Sequence, residues 1–168
     1  GGFVPKPFTP FQWFGQNTET ELRRKIGLLR EGLRLQGKTY KGVKLKWHDA
    51  SASVVEGLFS RGDRRLGAVI EDVWRNGGVF QEWSEHFDLK LWEDAMARRG
   101  LSLDWYVYRH RTEDELLPWD HLSAGLHKDF LWQDWRDALA EVGLEDCRWT
   151  PCYDCGACTG YGIEHIVA

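Results

Sequence analysis

Four cysteines within twelve residues near the C-terminal end place the strongest constraint on how this 168-residue chain can fold. They are Cys147, Cys152, Cys155 and Cys158. Thiolates this close together suit a tetrahedral metal ion or an iron-sulfur cluster, and Gly156 and Gly160 let the backbone fold around a small centre. Small disulfide scaffolds instead spread their cysteines through the fold. The sequence therefore predicts a metal site here, and the preceding residues must build a core of their own.

The spacing of the cysteines favours an iron-sulfur cluster, of the 4Fe-4S type, over a zinc ion. Two Cys-x2-Cys steps share Cys155, as in the cysteine run of bacterial ferredoxins, whereas a zinc ribbon separates its two pairs by a longer loop. Zinc bound by the same four thiolates is the alternative. His165 follows Cys158 closely enough to be a further ligand.

The composition predicts one hydrophobic core with a small appended lobe. Hydrophobic residues make up 42% of the chain, which is long enough to bury one core. A net charge of −4 and a pI of about 5.9 argue against a broadly basic surface for nucleic acid, but leave room for a local basic patch. Because no apolar run reaches membrane-spanning length and no signal peptide is present, we expect a soluble, cytoplasmic protein without a membrane partner. The start at Gly1, without Met, indicates a fragment of a longer protein.

Hydrophobic periodicity predicts a mainly α fold with a minor β component (α+β). Helices are expected over residues 18–34, 51–59, 63–76, 88–99, 103–107 and 128–142, with a further helix start at 112–115. Asn17 or Thr18 caps the first of these helices, and Asp63 caps the third. Prolines in the first ten residues exclude a helix there and predict a short strand that leads into a turn-rich segment. Residues 43–47 alternate apolar and basic side chains, as a half-buried strand does.

A second candidate site is the arginine turn, residues 61–65, which carries Arg61, Arg64 and Arg65. Three guanidiniums around a glycine at the start of a helix can bind a phosphate or carboxylate through forked contacts and backbone N–H groups. The alternative interpretation is a solvated charged turn in which Asp63 caps the helix. Both interpretations remain open at this point.

Tryptophans and histidines supply further candidates without a recognisable catalytic arrangement. Most of the ten tryptophans are predicted to pack helices together, while Trp47 and Trp119 are candidates for stacking on a substrate. Histidines that lie next to charged residues are acid-base candidates to which no individual chemistry is assigned. They are His48, His86, His121 and His127, with His110 as a further candidate. No nucleotide-binding loop or nucleophile elbow is present, so the catalytic residues are unknown.

Several ordered blocks of sequence point to one family. Residues 3–13, 43–49, 59–67, 83–87 and 117–121 read FVPKPFTPFQW, VKLKWHD, FSRGDRRLG, WSEHF and LPWDH. The terminal motif follows as DCR at residues 146–148 and CYDCGAC at residues 152–158. Together these blocks resemble the C-terminal part of the cobalamin-binding-domain radical SAM proteins, and the resemblance spans nearly the whole chain.

The resemblance implies a radical SAM enzyme as the parent protein. In that family a cobalamin-binding domain precedes a partial TIM-type barrel, whose Cys-x3-Cys-x2-Cys loop holds the 4Fe-4S cluster that cleaves S-adenosylmethionine. This chain lacks that loop. The upstream barrel and the cobalamin-binding domain would be its partners within one polypeptide, and the fragment alone would not be catalytic. The substrate is not identified.

The resemblance also implies a division of the chain. Residues 1–15 would be the end of the barrel with its last strand and exit, residues 16–145 a helical C-terminal extension, and residues 146–168 a metal-binding tail. The four cysteines would then hold an auxiliary iron-sulfur cluster. Lys6 would lie at the mouth of the barrel, where the ends of strands meet ligands. Arg61, Arg64 and Arg65 would face an anionic substrate.

The alternative function belongs to a different class, a non-catalytic interaction module. In that interpretation zinc bound by the cysteines staples the C-terminal end, and the arginine turn docks a protein or RNA partner. A cluster would give colour and redox activity, whereas structural zinc is colourless and redox-silent. The identity of the metal therefore separates the two hypotheses.

Overall fold

The computed structural model describes residues 2–37 and 39–163, and these residues form an all-α fold. Its helices, in chain order, are α1 (Glu19–Leu35), α2 (Ala50–Arg61), α3 (Leu66–Arg75), α4 (Leu89–Arg98), α5 (Lys128–Leu139) and α6 (Ala157–Gly160). A 3-10 turn at Pro10–Trp13 and a π-helical turn at Asp104–Tyr108 complete the regular structure in these ranges. The expected helical character is confirmed. The expected minor β component is wrong, because the described residues contain no strand.

The start of the chain does not form the barrel strand expected there. Its prolines lack the N–H groups that a strand uses to pair with a neighbour. The segment is instead irregular up to the turn at Pro10–Trp13, where the Gln12 N–H donates to the Thr9 carbonyl oxygen at 3.0 Å. Local hydrogen bonds of this kind replace those that a sheet would supply.

Residues 43–47 are irregular as well, although their side chains alternate in polarity. Leu45 and Trp47 line a cavity together with Ile26 and Leu29 of α1. Leu45 and Trp47 therefore lie beside a helix, whereas Val43 is exposed. An extended segment that lies beside a helix can show the same alternation of apolar and polar side chains as a half-buried strand. The pattern therefore does not distinguish these two structures.

The chain divides into two units by the packing of its backbone. The first unit comprises Gly1–Pro5 and Gly15–His110, and the second comprises Lys6–Phe14 and Arg111–Ala168. This division falls after His110, whereas the resemblance implies that the metal-binding tail starts at residue 146. The second unit therefore contains both the cysteines and α5.

The first unit has a core of apolar side chains from α2, α3, α4 and the π-helical turn. Helix α1 begins where Thr18 Oγ1 accepts a hydrogen bond from the Glu21 N–H, as predicted for this cap. Asp88 caps α4 in the same way through the Lys90 N–H. Asp49 caps α2 by accepting hydrogen bonds from the Ser51 and Ala52 N–H groups.

The second unit has a smaller core, formed by Trp13, Leu117, Trp119 and Leu131. Helix α5 packs on the 3-10 turn, and the rings of Trp13 and Trp132 meet edge to face with their centres 5.0 Å apart. Such a contact stabilises aromatic pairs beyond the area that they bury. These residues hold the N-terminal end of α5, which lies beside the cysteines.

The expected helix at residues 112–115 is a single turn, because Pro118 lacks the N–H that would continue it. The short helix expected at residues 103–107 is present as the π-helical turn. In the described ranges, no helix has both the length and the apolar character needed to cross a lipid bilayer.

Candidate metal centre

The cysteine segment, residues 152–158, turns through two residues with left-handed backbone conformation. Asp154 has a φ of 54° and Gly156 a φ of 86°. The Asp154 N–H donates to Cys152 Sγ, with 3.3 Å between nitrogen and sulfur. A donor of this kind stabilises the negative charge of a thiolate, which is the form of cysteine that binds metals. This hydrogen bond helps to fix the turn that follows Cys152.

A loop of the same unit, the clasp loop at residues 124–127, holds the cysteine segment. The His127 N–H donates to the Cys155 carbonyl oxygen at 2.9 Å. The ring nitrogen Nδ1 of His127 lies 3.1 Å from the Asp154 carbonyl oxygen. These two hydrogen bonds tie the middle of the cysteine segment to the residue that precedes α5.

The close approach of clasp loop and cysteine segment depends on glycines. A β-carbon at Gly160 would lie 2.6 Å from the Gly125 Cα, and one at Gly156 would lie 2.7 Å from the Gly125 carbonyl oxygen. Both distances are far below a normal contact, so a larger residue would push the two backbones apart. Tyr161 closes over Gly125, and its hydroxyl donates to the Ala124 carbonyl oxygen at 3.3 Å.

The thiols themselves do not converge. Cys152 is exposed, Cys147, Cys155 and Cys158 are partly buried, and no disulfide joins them. Among residues 2–37 and 39–163, no three side chains of His, Cys, Asp or Glu meet closely enough to enclose a metal ion. His165, the further ligand suggested by the sequence, lies outside the described residues.

Cys147 lies in a separate turn before the cysteine segment. The Trp149 N–H donates to the Asp146 carbonyl oxygen at 2.9 Å. The Arg148 guanidinium pairs with the Asp146 carboxylate, and this hydrogen bond lowers the pKa of Asp146 to about 2. The charge of Arg148 is therefore balanced mainly by Asp146.

The residue types of the cysteine segment suit the metals that the sequence predicts, although the described side chains do not enclose one point. Cysteine thiolates bind both zinc and iron-sulfur clusters, and imidazole nitrogen binds zinc and, in some clusters, iron. The N–H donated to sulfur and the hydrogen-bonded imidazole are both interactions that orient metal ligands from outside. These two hydrogen bonds are of the kind that would support a thiolate-bound centre.

The arginine turn does not gather its three guanidiniums around one anion site. Arg61 is fully buried. Its Nε donates to the Tyr106 carbonyl oxygen at 2.7 Å, and one Nη donates to the Arg109 carbonyl oxygen at 2.9 Å. Arg61 therefore joins the end of α2 to the π-helical turn, which is a structural role.

Arg65 pairs with Asp63, with 2.6 Å between Nη2 and Oδ2. The hydrogen bond from Arg65 is the main reason that the pKa of Asp63 falls to about 2. Asp63 also accepts from the Arg65 N–H at 2.9 Å, immediately before α3 begins. This geometry matches the charged turn, but α3 starts at Leu66 after Arg65 without a side-chain cap, so the prediction that Asp63 caps this helix is wrong. Anion binding by the exposed Arg64 and by Arg65 stays a prediction.

The other side chains selected from the sequence lie in different surroundings. Lys6 is an exposed residue of the second unit. Trp47 is 46% exposed, lies against the Arg30 guanidinium and lines a cavity of about 300 Å³ beside α1. Trp119 is buried, and its Nε1 donates to Gln12 Oε1 at 2.7 Å. Trp47 is therefore accessible to a ligand, whereas Trp119 belongs to the core.

The sequence alone does not indicate that His127 lies beside the cysteine segment. Its neighbours in sequence make it one of several histidines beside a charged residue, whereas His165 is closer to the cysteines along the chain. The signal that could have found His127 is Gly125, two residues earlier, since glycines mark close approaches of the backbone. A single sequence does not show that Gly125 lies close to Gly156 and Gly160 in the fold.

No family model matches the chain, and comparisons with curated proteins and with solved structures find no match. Its function is therefore inferred from the residues, contacts and charges described above.

Proposed function

We propose that this chain is the C-terminal portion of a radical SAM enzyme and that its second unit carries an auxiliary iron-sulfur centre. The cysteine segment supplies the thiolates of Cys152, Cys155 and Cys158, and Cys147 is the fourth thiolate that the sequence offers. The observation that carries this proposal is the clasp of the cysteine segment by the loop before α5, with an N–H donated to Cys152 Sγ.

The parent enzyme would work in the cytoplasm, where thiols remain reduced. Its radical-generating cluster, S-adenosylmethionine and cobalamin would be bound by the upstream barrel and cobalamin-binding domain, so no catalytic residue is assigned to this chain. A thiolate-bound cluster, when present, supplies one-electron redox chemistry or a ligand position for substrate. The chain's own residues would hold the cluster and set its surroundings.

The sequence blocks that carry the resemblance contribute residues to the core of each unit. Arg61 and Asp63, from the block at residues 59–67, secure the π-helical turn of the first unit. Leu117 and Trp119, from the block at residues 117–121, are buried in the second unit. Exposed Lys6 and Arg64 remain the candidates for contact with an anionic substrate.

The proposal is tested by purifying the chain anaerobically and measuring iron, acid-labile sulfide and zinc together with the visible absorption. An iron-sulfur centre predicts iron and sulfide in equal amounts and a broad visible band, all lost in Cys155→Ser. Asp146→Asn is the control, because it alters a charge beside the cysteine segment and keeps every thiol. A chain without bound metal, or Cys155→Ser with unchanged metal content, would contradict the proposal.

A second candidate is the zinc-stapled interaction module, in which the arginine turn docks a protein or RNA partner. The imidazole of His127 beside the cysteine segment favours it, because structural zinc sites commonly combine three cysteines with one histidine. Stoichiometric zinc in a colourless protein, again lost in Cys155→Ser, would select this candidate over the iron-sulfur centre.

A further inference from the structure

We propose that three exposed aromatic rings of the first unit form a binding site for a quaternary ammonium cation. The rings belong to Phe80, Trp83 and His86, which we term the aromatic triangle, in the loop between α3 and α4. The cation would be a trimethylammonium group, either of a free small molecule or of a trimethylated lysine in a protein. This inference does not depend on a metal at the cysteine segment, which belongs to the second unit.

The three rings lie close enough together to contact one cation. The ring centres of Phe80 and Trp83 are 6.0 Å apart, those of Phe80 and His86 6.0 Å, and those of Trp83 and His86 6.4 Å. A ring attracts a cation that lies over its face within about 6 Å of its centre, and a point above the middle of this triangle is that close to all three centres. The ring planes are tilted by 36° to 45°, so the rings do not stack flat and cover one another.

Successive turns of the loop bring the three side chains together. The Trp83 N–H donates to the Phe80 carbonyl oxygen, and the His86 N–H donates to the Trp83 carbonyl oxygen, both at 2.9 Å. In turns with this hydrogen bond, side chains three residues apart lie above one another. The aromatic residues follow at intervals of three, so their spacing matches the turns that the loop forms.

The side chain of Gln81 holds this loop in place. Its Nε2 donates to the His86 carbonyl oxygen. Its Oε1 accepts hydrogen bonds from the Asp88 N–H and from Trp92 Nε1, each at 3.2 Å. Because Trp92 is buried in the core of the first unit, Gln81 ties the loop to that core. A loop that is ordered before binding loses less conformational entropy when a ligand binds.

The stability of the first unit does not explain why these rings are exposed. Phe80 is 68% exposed and Trp83 is 58% exposed. Phe80 also has a φ of 53°, in the left-handed region that bulky residues rarely adopt. An exposed apolar ring on a strained backbone does not stabilise a fold, whereas strained residues and exposed apolar patches concentrate at binding sites.

The charge of the loop favours a cation as the ligand. Residues 76–88 contain three carboxylates and no lysine or arginine. The carboxylates are those of Glu82, Glu85 and Asp88. Arg75, before the loop, pairs with Glu71. Lys90, after the loop, pairs with Asp94. The loop therefore carries a negative charge, which attracts an organic cation and repels the phosphates of a nucleic acid.

The test measures the binding of two probes to the full chain, choline and a short peptide that contains trimethyl-lysine. The control for choline is its tert-butyl analogue, in which a carbon atom replaces the charged nitrogen. The control for the peptide is the same peptide with unmodified lysine. Binding is followed by the NMR shifts of the loop amides at about pH 8, where histidine rings are usually uncharged.

Two variants locate the site on the chain. Trp83→Ala removes one ring of the aromatic triangle. Trp105→Ala is the matched control, because Trp105 is a 52% exposed tryptophan of the same unit outside the triangle. Circular dichroism confirms that both variants fold.

We expect a trimethylammonium probe to bind at least about fivefold more tightly than its control, and Trp83→Ala to weaken that binding by at least about fivefold. Trp105→Ala should stay within about twofold of the unaltered chain. Binding of choline would identify a small molecule as the source of the cation, and binding of the peptide alone a modified protein. Equal binding of each probe and its control, unchanged binding in Trp83→Ala, or no binding of either probe would overturn the inference.

Discussion

In the first unit, ten buried residues from three helices and the π-helical turn form one core cluster, whereas the cluster of the second unit has four. The larger core is mostly aliphatic, while two of the four residues in the smaller core are tryptophans. Burial can account for the stability of the first unit. A core of four residues is too small to do so, and small domains usually add a metal or another cross-link.

The two units also differ in how completely their buried polar groups are hydrogen-bonded. In the first unit, the buried guanidinium of Arg61 is hydrogen-bonded to two carbonyl oxygens, while Gln16 Oε1 is buried without a partner among the described residues. In the second unit, the buried Nε1 atoms of Trp13 and Trp135 have no hydrogen-bond partner among the described residues. Each buried unpaired N–H costs about 1–3 kcal/mol. The second unit therefore depends more on additional ties, which the cysteine segment would supply by binding a metal.

The largest effect is expected in the small core. Trp13→Ala should lower the free energy of unfolding by about 3–5 kcal/mol, because it empties the centre of a cluster with few other members. Trp149→Ala is the control, since Trp149 is 68% exposed. Urea denaturation followed by circular dichroism measures both variants. A loss below about 1 kcal/mol for Trp13→Ala would mean that the second unit is not held by this core.

The next effect concerns the buried arginine of the first unit. Arg61→Met should cost about 3 kcal/mol, because it leaves the Tyr106 and Arg109 carbonyl oxygens without their charged donor. Arg64→Met, a change of an exposed arginine in the same turn, should be nearly neutral. If both variants unfold at the same urea concentration as the unaltered chain, Arg61 does not stabilise the first unit.

The smallest effect is electrostatic and depends on pH. Arg65 lowers the pKa of Asp63 from 3.8 to about 2, so the ionised carboxylate stabilises the fold above pH 4 and this contribution is lost as the pH falls towards 2. Asp63→Asn should therefore destabilise the chain by about 1 kcal/mol at pH 6 and hardly at all at pH 2. Urea denaturation at both pH values checks this, with the exposed pair variant Asp94→Asn as control. An equal loss at both pH values would contradict the ion pair.

The helices were predictable because their signals are local. Thr18 and Asp88 cap the starts of their helices. Gly100, with a φ of 66°, follows the end of α4, where the left-handed backbone conformation favours glycine. The irregular structure of residues 43–47 was not predictable, since alternation describes contact with a helix as well as with a sheet. The strand prediction was wrong because the segment lies beside a helix, and only the tertiary fold defines which element a segment packs against.

The candidate site was predictable in its cysteines and not in its surroundings. Four thiols within twelve residues identify the segment without any structure. The clasp by His127 depends on a close approach between distant parts of the chain. Arg61 illustrates the converse, because its charge suggested a surface site and the fold buries it. Burial depends on neighbours that are far away in sequence.

Hydrogen exchange with and without a chelator tests most directly whether a metal at the cysteine segment completes the second unit. Removal of the metal from the purified chain should speed exchange at the His127 and Gly160 amides by at least about tenfold, because both belong to the clasped region. Amides of α2 and α3, which provide no ligand, should keep their rates. Equal exchange at His127 and Gly160 before and after chelation would contradict the account, as would a chain that is purified without metal.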